Sequence, residues 1–457
     1  MSLLIRNALV LRSARAAELE LADVLVCEGR LEKIGAAAAT DADHVIDAHG
    51  NVLLPGLIQT HVHLCQTPLL GSAGDVRLMD WLRQRTWPLE AAHDPETLYH
   101  SVRWGALKLI QSGTTAILDH ATVRHTETAF QGILNSGLRA QSGKVLMDHE
   151  EHCPPDLRDS TAEALRDTLA LIARYRRTDE GPLTYGLNPR FVVSCTDRLL
   201  REVGKLAGRM GLPIHTHAHE EPVSIDIVER ERGKRPIPHL HDLGLLGPKT
   251  QLAHCVHLTA DEIGLLADTG THVCHCPSSN LVLGSGIAPV PELLEAGVNV
   301  SLGSDATAFN PTFSPWFEMR DAALIQAGRL GPTALTARDV LEMATLNGAK
   351  GLGMEDALGT LEVGKKADLV IVEVEPSPYA DSLADGVIHS MVYDPASVRV
   401  RTSLVDGRVL MQDGEVTTLD AEEVEAKGRE AMAELIRRID AAGGNDTCQA
   451  ARAGATS

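Results

Sequence analysis

The 457-residue sequence predicts an α/β architecture: a (β/α)8, or TIM, barrel with a small β-sandwich domain formed from both termini. Three observations point there. Apolar, strand-like runs alternate with amphipathic helical stretches over roughly 300 central residues, the mark of a parallel sheet. Segments rich in short strands, punctuated by Gly and Asp-Gly, occupy both ends of the chain. Several central strands finish in polar, histidine-bearing tips, as barrel strands do where they open onto a mouth.

Taken in order, "LLIRNALVL", "ADVLVCEGRLEKIG" and "HVIDAHGNVLLPG" open the chain. They set the N-terminal part of the small domain at 1–54. The barrel is expected over 55–356. Its strands include "GTTAILDH", "LPIHTHA", "TQLAHCV", "THVCHC" and "VNVSLGSD", and its helices include "TAEALRDTLALIARYRR" and "LLREVGKLAGRMG". The texture of the first residues returns in "GTLEVGKKADLVIVEV" and "VRVRTSLVDGRVLMQDGEV", which set the C-terminal part of the small domain at 357–420. A closing helix is expected over 421–442, and a disordered tail over 443–457.

A formal net charge of −20 argues against nucleic acid as a partner, since phosphate backbones demand Lys- and Arg-rich surfaces. No segment approaches the ~20 apolar residues of a membrane span. The first residues, "MSLLIRNALVLRSARAAELE", show neither a basic leader nor a small-residue cleavage site, so a cytoplasmic protein is expected. Eight scattered cysteines without CxxC spacing read as reduced thiols. "THVCHCPSSN" crowds Cys274, His275 and Cys276 together, and reads as a strand with two buried thiols.

The chemistry gathers at strand ends. "LLPGLIQTHVHLCQ" is a buried-strand pattern that finishes in His61 and His63, two residues apart and so on one face. "IHTHAHEE" offers His215, His217 and His219, then Glu220 and Glu221; "LAHCVHL" offers His254 and His257; "SLGSDATAFN" ends a strand at Asp305. Imidazole and carboxylate suit a borderline divalent ion, and polar tips on four strands of an apolar barrel are poor core filling. Together they indicate a metal site.

The HxH after "PGLIQT", the later HxxE, "AHCVHL", "CPSSNLVLGSGIAPVPELLEAG", "GSD" and the C-terminal "GTLEVGKKADLVI", in that order, resemble the amidohydrolase superfamily. The match is to its mononuclear deaminase and aminohydrolase branch, over nearly the whole chain. The resemblance implies His61, His63, His217 and Asp305 as ligands of one divalent ion, with zinc expected and iron or manganese as alternatives. It implies Glu220 and His254 as acid–base groups, with Asp305 sharing that work. His215 and His219 become neighbours of the site, Glu221 a solvated residue and His257 a loop residue. His272, His275, Cys274 and Cys276 become packing residues.

A bound divalent ion lowers the pKa of its water from ~15.7 toward ~7. The hydroxide attacks a ring carbon bearing an amino group while Glu220 protonates the adjacent ring nitrogen, and ammonia leaves. For the substrate, Glu90 in "MDWLRQRTWPLEAAH" resembles the carboxylate with which S-adenosylhomocysteine and methylthioadenosine deaminases hold ribose hydroxyls. Arg190 in "LNPRFVVSCTD" stands where adenosine-type members place His, and resembles the base-contacting Arg of guanine deaminases. Gln66 fits a purine-edge contact in either group. Lys144 stands where homocysteine-carboxylate recognition uses Arg, and "DATAFNPTF" lacks the usual Asp-Gly-Ala-Ala. The expected activity is hydrolytic deamination of an amino-purine, foremost a 5′-modified adenosine such as 5′-deoxyadenosine, methylthioadenosine or S-adenosylhomocysteine, or adenosine itself. The alternatives are a guanine or 8-oxoguanine deaminase, an s-triazine hydrolase, and a non-catalytic barrel serving as a binding protein. The expected partners are the small amino-heterocycle and further copies of the chain.

Overall fold

The computed structural model describes residues 2–35, 42–175 and 181–442. The tail expected over 443–457 lies outside the described residues. Two sets of parallel strands carry the site. The first comprises Leu57–Val62, Thr114–Asp119, Arg139–Ser142 and Leu183–Tyr185, hydrogen-bonded side by side in chain order. The second comprises Ile214–Ala218, Thr250–His254, His272–His275 and Val300–Leu302, again in chain order. Parallel bridges join the sets at both margins, Leu187 to Ile214 and Val62 to Asp305. The eight are numbered first to eighth below. Their residues are almost all buried, polar ones included.

The intervening helices form where the sequence signals them. In Asp197–Met210, the Thr196 side chain accepts from the Leu199 N–H at one end, and Gly211 adopts φ 66° at the other. The closing helix runs Ala421–Ala441, capped by Asp420. After the first strand, the chain passes through Leu78–Trp81 and Trp87–Ala92, with a π-helical stretch at Leu82–Thr86 between them. Pro88 lacks an N–H to continue the α register, which accounts for the wider turn ahead of it.

Both ends of the chain meet in one nine-stranded sheet. Leu369–Glu373 pairs antiparallel with Val52–Pro55, the strand immediately before the HxH strand. Two facing sheets were expected here; hydrogen bonding instead runs through one. Register shifts at Ile5/Ala8, Ile371/Val372 and Ser403/Leu404 are bulges that bend strands. The bent sheet encloses its own core, in which Leu3, Ile5 and Val24 meet Leu369, Ile371 and Leu404. Arg139 on the third strand binds Asp368 through two hydrogen bonds, at 2.8 and 3.0 Å, and also Asp406 at 2.7 Å. No helix among the described residues is long and apolar enough to cross a membrane.

Candidate metal centre and cavity

The tips of the first, fifth, sixth and eighth strands converge. The ring nitrogens of His61, His63 and His217 lie within 4.8 Å of one another. Asp305 Oδ1 is 3.5 Å from His61 Nε2 and 3.4 Å from His63 Nε2. His254 Nε2 lies 3.5 Å from Glu220 Oε2. All six side chains are buried or nearly so.

Tautomers decide what this arrangement can hold. His63 Nδ1 donates to the His120 carbonyl at 3.0 Å, and His217 Nδ1 donates to the Arg190 carbonyl at 2.7 Å. A carbonyl only accepts, so each Nδ1 carries the proton and each Nε2 presents a lone pair. Those two Nε2 atoms face each other at 3.1 Å, beside the Asp305 carboxylate. His61 Nε2 is buried without a hydrogen-bond partner, while its Nδ1 meets His215 Nε2 at 2.9 Å. Converging lone pairs and a carboxylate repel one another unless a cation lies between them. The donor set fits a divalent ion.

Titration follows the same logic. Burial drives His63 and His217 well below the ordinary imidazole range, and the neighbouring rings add to the shift. Burial brings His254 to about 4. For Asp305, burial pushes upward, but His61, His63 and His254 outweigh it and hold the carboxylate well below its usual range. Glu220 goes the other way: burial first, then Asp305 and Glu221, raise it well above an ordinary carboxyl. The two neighbouring carboxyls are thus pushed in opposite directions, the contrast on which acid–base chemistry draws.

Backbone strain marks the same places. His219, His254 and Asp305 adopt φ values of 53°, 73° and 60°. Each is a non-glycine residue in the left-handed region, at a cost of ~1–3 kcal/mol where held by surrounding structure.

A cavity opens over the cluster. Gln66, Arg190 and Glu220 line it, with Trp81 and Phe309 on an apolar side, ring centroids 5.6 Å apart. Glu90 does not line it. Its carboxylate takes Arg190 Nη1 at 2.6 Å and Nη2 at 3.1 Å, and Gln66 Nε2 at 2.8 Å. Gln66, Glu90 and Arg190 are therefore one buried network, with Glu90 behind the two groups that face the cavity. Lys144 is also away from it, bound to Asp159 at 2.9 Å and to the Val123 carbonyl. Glu221, expected in solvent, is 3% exposed and takes a hydrogen bond from the Met79 backbone. It thereby ties the segment over the mouth to the fifth strand's end.

His219 lies outside the cluster: its Nδ1 faces the His257 carbonyl at 3.0 Å and its Nε2 accepts from the Ile237 N–H at 3.2 Å. Cys274 and Cys276 are buried, with sulfurs 3.9 Å apart. Two supporting residues carried no assigned role in the sequence. Ser279 donates to Asp305 Oδ2 at 2.6 Å, and Asn280 Oδ1 meets His254 Nδ1 at 3.0 Å. Their signal was "CPSSN" directly after the seventh strand. His120, at the end of the second strand, is fully buried with neither ring nitrogen bonded among the described residues.

Comparison with known proteins adds names to this geometry. A family model described as "Amidohydrolase family" matches residues 52–410. A 5-methylthioadenosine/S-adenosylhomocysteine deaminase from Moorella thermoacetica is 38% identical over 409 residues, 88% of this chain and 93% of the relative. A 5'-deoxyadenosine deaminase from Methanosarcina mazei is 36% identical over 442 residues, covering 96% and 99%. Among solved structures, an adenosine deaminase from Xanthomonas campestris with bound zinc superposes with a TM-score of 0.86 at 28% identity, covering 95% of this chain and 98% of that one.

Proposed function

Because the chain belongs to the amidohydrolase family, we propose that it is a metal-dependent aminohydrolase releasing ammonia from the purine of a 5′-modified adenosine. The carrying observation is the pair of facing Nε2 lone pairs of His63 and His217 beside Asp305, in the same cavity as Glu220, whose carboxyl is raised above the ordinary range by burial. Architecture supports the reading. The two sets of four parallel strands and their marginal bridges are consistent with a closed (β/α)8 barrel over 55–356. In the same reading, 1–54 and 357–420 make the small domain and 421–442 the closing helix.

His61, His63, His217 and Asp305 would hold one divalent ion, zinc being the expected metal for such donors. When bound, the ion acidifies a water and so supplies a nucleophile near neutrality. The residues of the chain supply the rest. Glu220, whose carboxyl is raised above the ordinary range by burial, delivers a proton to the ring nitrogen next to the carbon under attack. Asp305, with Oδ1 beside His61 and His63, can accept a proton from the attacking water, and Asn280 fixes the ring of His254 beside Glu220. Trp81 and Phe309 offer apolar surface to a flat heterocycle.

Arg190 and Gln66 face the cavity while Glu90 stands behind them, and this favours one second reading, a free-base deaminase acting on guanine or 8-oxoguanine. Ammonia release with adenosine, 5′-deoxyadenosine, methylthioadenosine, S-adenosylhomocysteine, guanine and 8-oxoguanine separates the two. Turnover of the nucleosides supports the first reading; turnover of the free bases alone replaces it with the second.

A further inference from the structure

A second group of metal-type side chains lies apart from the cavity and shares no residue with it. His149 and His152 sit in the loop between the strand Val145–Leu146 and the helix Thr161–Tyr175. The Cys153 N–H donates to the His149 carbonyl at 3.2 Å, closing a single helical turn that places the two histidines side by side. Their rings are 4.6 Å apart and tilted by 31°. Glu231, near the end of the helix Pro222–Arg232, reaches both: its Oε1 is 2.7 Å from His152 Nε2, and its Oε2 is 3.9 Å from His149 Nε2. The three ligand atoms fall within 4.8 Å of one another.

Two features separate this group from an ordinary surface ion pair. His149 Nδ1 is buried without a hydrogen-bond partner, and its Nε2 meets Glu231 only at the 3.9 Å separation, so the imidazole is poorly satisfied for a side chain 19% exposed. Arg232, the nearest cation, is spent elsewhere: it bonds the carbonyls of Val192 and Cys195 at 3.3 and 2.9 Å and faces Asp197 at 3.4 Å. Two imidazoles and one carboxylate, with solvent access for a fourth position, are a donor set that zinc and its neighbours favour.

We propose that His149, His152 and Glu231 form a second, surface-accessible site for a divalent transition ion. Bound there, the ion ties the loop after the third strand to the helix that begins directly after Glu220 and Glu221.

The test uses the full chain dialysed against zinc chloride, with metal content read by mass spectrometry. The wild type is expected to hold two equivalents. His152→Ala and Glu231→Gln are each expected to hold one and to keep releasing ammonia, while Asp305→Ala also holds one but loses activity. A wild type that saturates at one equivalent, or loop variants that still hold two, would overturn the proposal. Should His152→Ala fold poorly, His149→Gln serves with a second readout. Added zinc should raise the melting temperature of wild type already loaded at the catalytic site and leave that of His149→Gln unmoved; equal shifts in both would likewise refute it.

Discussion

Glu220 and Asp305 are both buried carboxyls, yet their surroundings push them in opposite directions, and that contrast is the chemical core of the site. Removing the acid alone should separate binding from turnover. Glu220→Gln keeps its metal and loses about 100- to 10,000-fold in kcat, the usual weight of a general acid–base group; near-normal kcat in that variant would reassign the acid. The sign of the pH dependence follows. In the proposed mechanism Glu220 works protonated and burial raises its carboxyl above the ordinary range, so kcat should fall as pH rises and that limb should be lost in the Gln variant. Glu318 provides a separate effect on stability. It is buried, takes hydrogen bonds from the Ser278 N–H and Asn310, and is pushed by burial to about 7 from 4.5. A raised carboxyl binds its proton more tightly in the folded chain, so the stabilisation is complete below 4.5 and is lost as pH climbs toward about 7. Melting temperatures across that window should fall in wild type and fall less in Glu318→Gln. At this scale the sequence was legible for the histidines and acids because they lie at strand tips with fixed spacing. Glu90 and Arg190 were visible only as separate residues, 100 positions apart. Nothing short of the fold could show that each occupies the other's hydrogen bonds.

Strand ends place these groups, so element packing sets their accuracy. Gly303 ends the eighth strand's approach to the first, and a Cβ there would stand 2.7 Å from the His61 carbonyl oxygen and 2.8 Å from Cys274 Sγ. Gly303→Ala should therefore push the HxH strand aside and cost about 100-fold in kcat/KM, the scale of an ångström-level misplacement, with metal content falling in parallel. The segment over the mouth depends on Glu221, whose carboxylate holds the Met79 backbone. Glu221→Ala should raise KM more than it lowers kcat, because the loosened segment carries cavity walls such as Trp81 rather than reacting groups. Alternation of strand and helix was readable throughout the centre of the chain. The single sheet at the termini was not, because its two halves are joined by pairing of Leu369–Glu373 with Val52–Pro55, more than 300 positions apart.

Across the whole molecule, the terminal sheet and the parallel strands are joined by a buried charge. Arg139 is held by Asp368 and Asp406, and the backbone carbonyl of Asp368 also accepts from the Gly56 N–H at 2.9 Å, one residue before the HxH strand begins. Arg139→Met leaves buried Asp368 without its partner, and should lower the free energy of urea unfolding by about 3–5 kcal/mol. Metal removal by a chelator should abolish ammonia release, and zinc should restore it. The central claim, that four side chains drawn from three distant strands surround one cation, is tested most directly by anomalous diffraction at the metal edge from crystals of the purified chain. The account predicts a peak within bonding distance of the Nε2 atoms of His61, His63 and His217 and of the Asp305 carboxylate. Density showing Asp305 turned away from those imidazoles, with no anomalous peak between them, would contradict it.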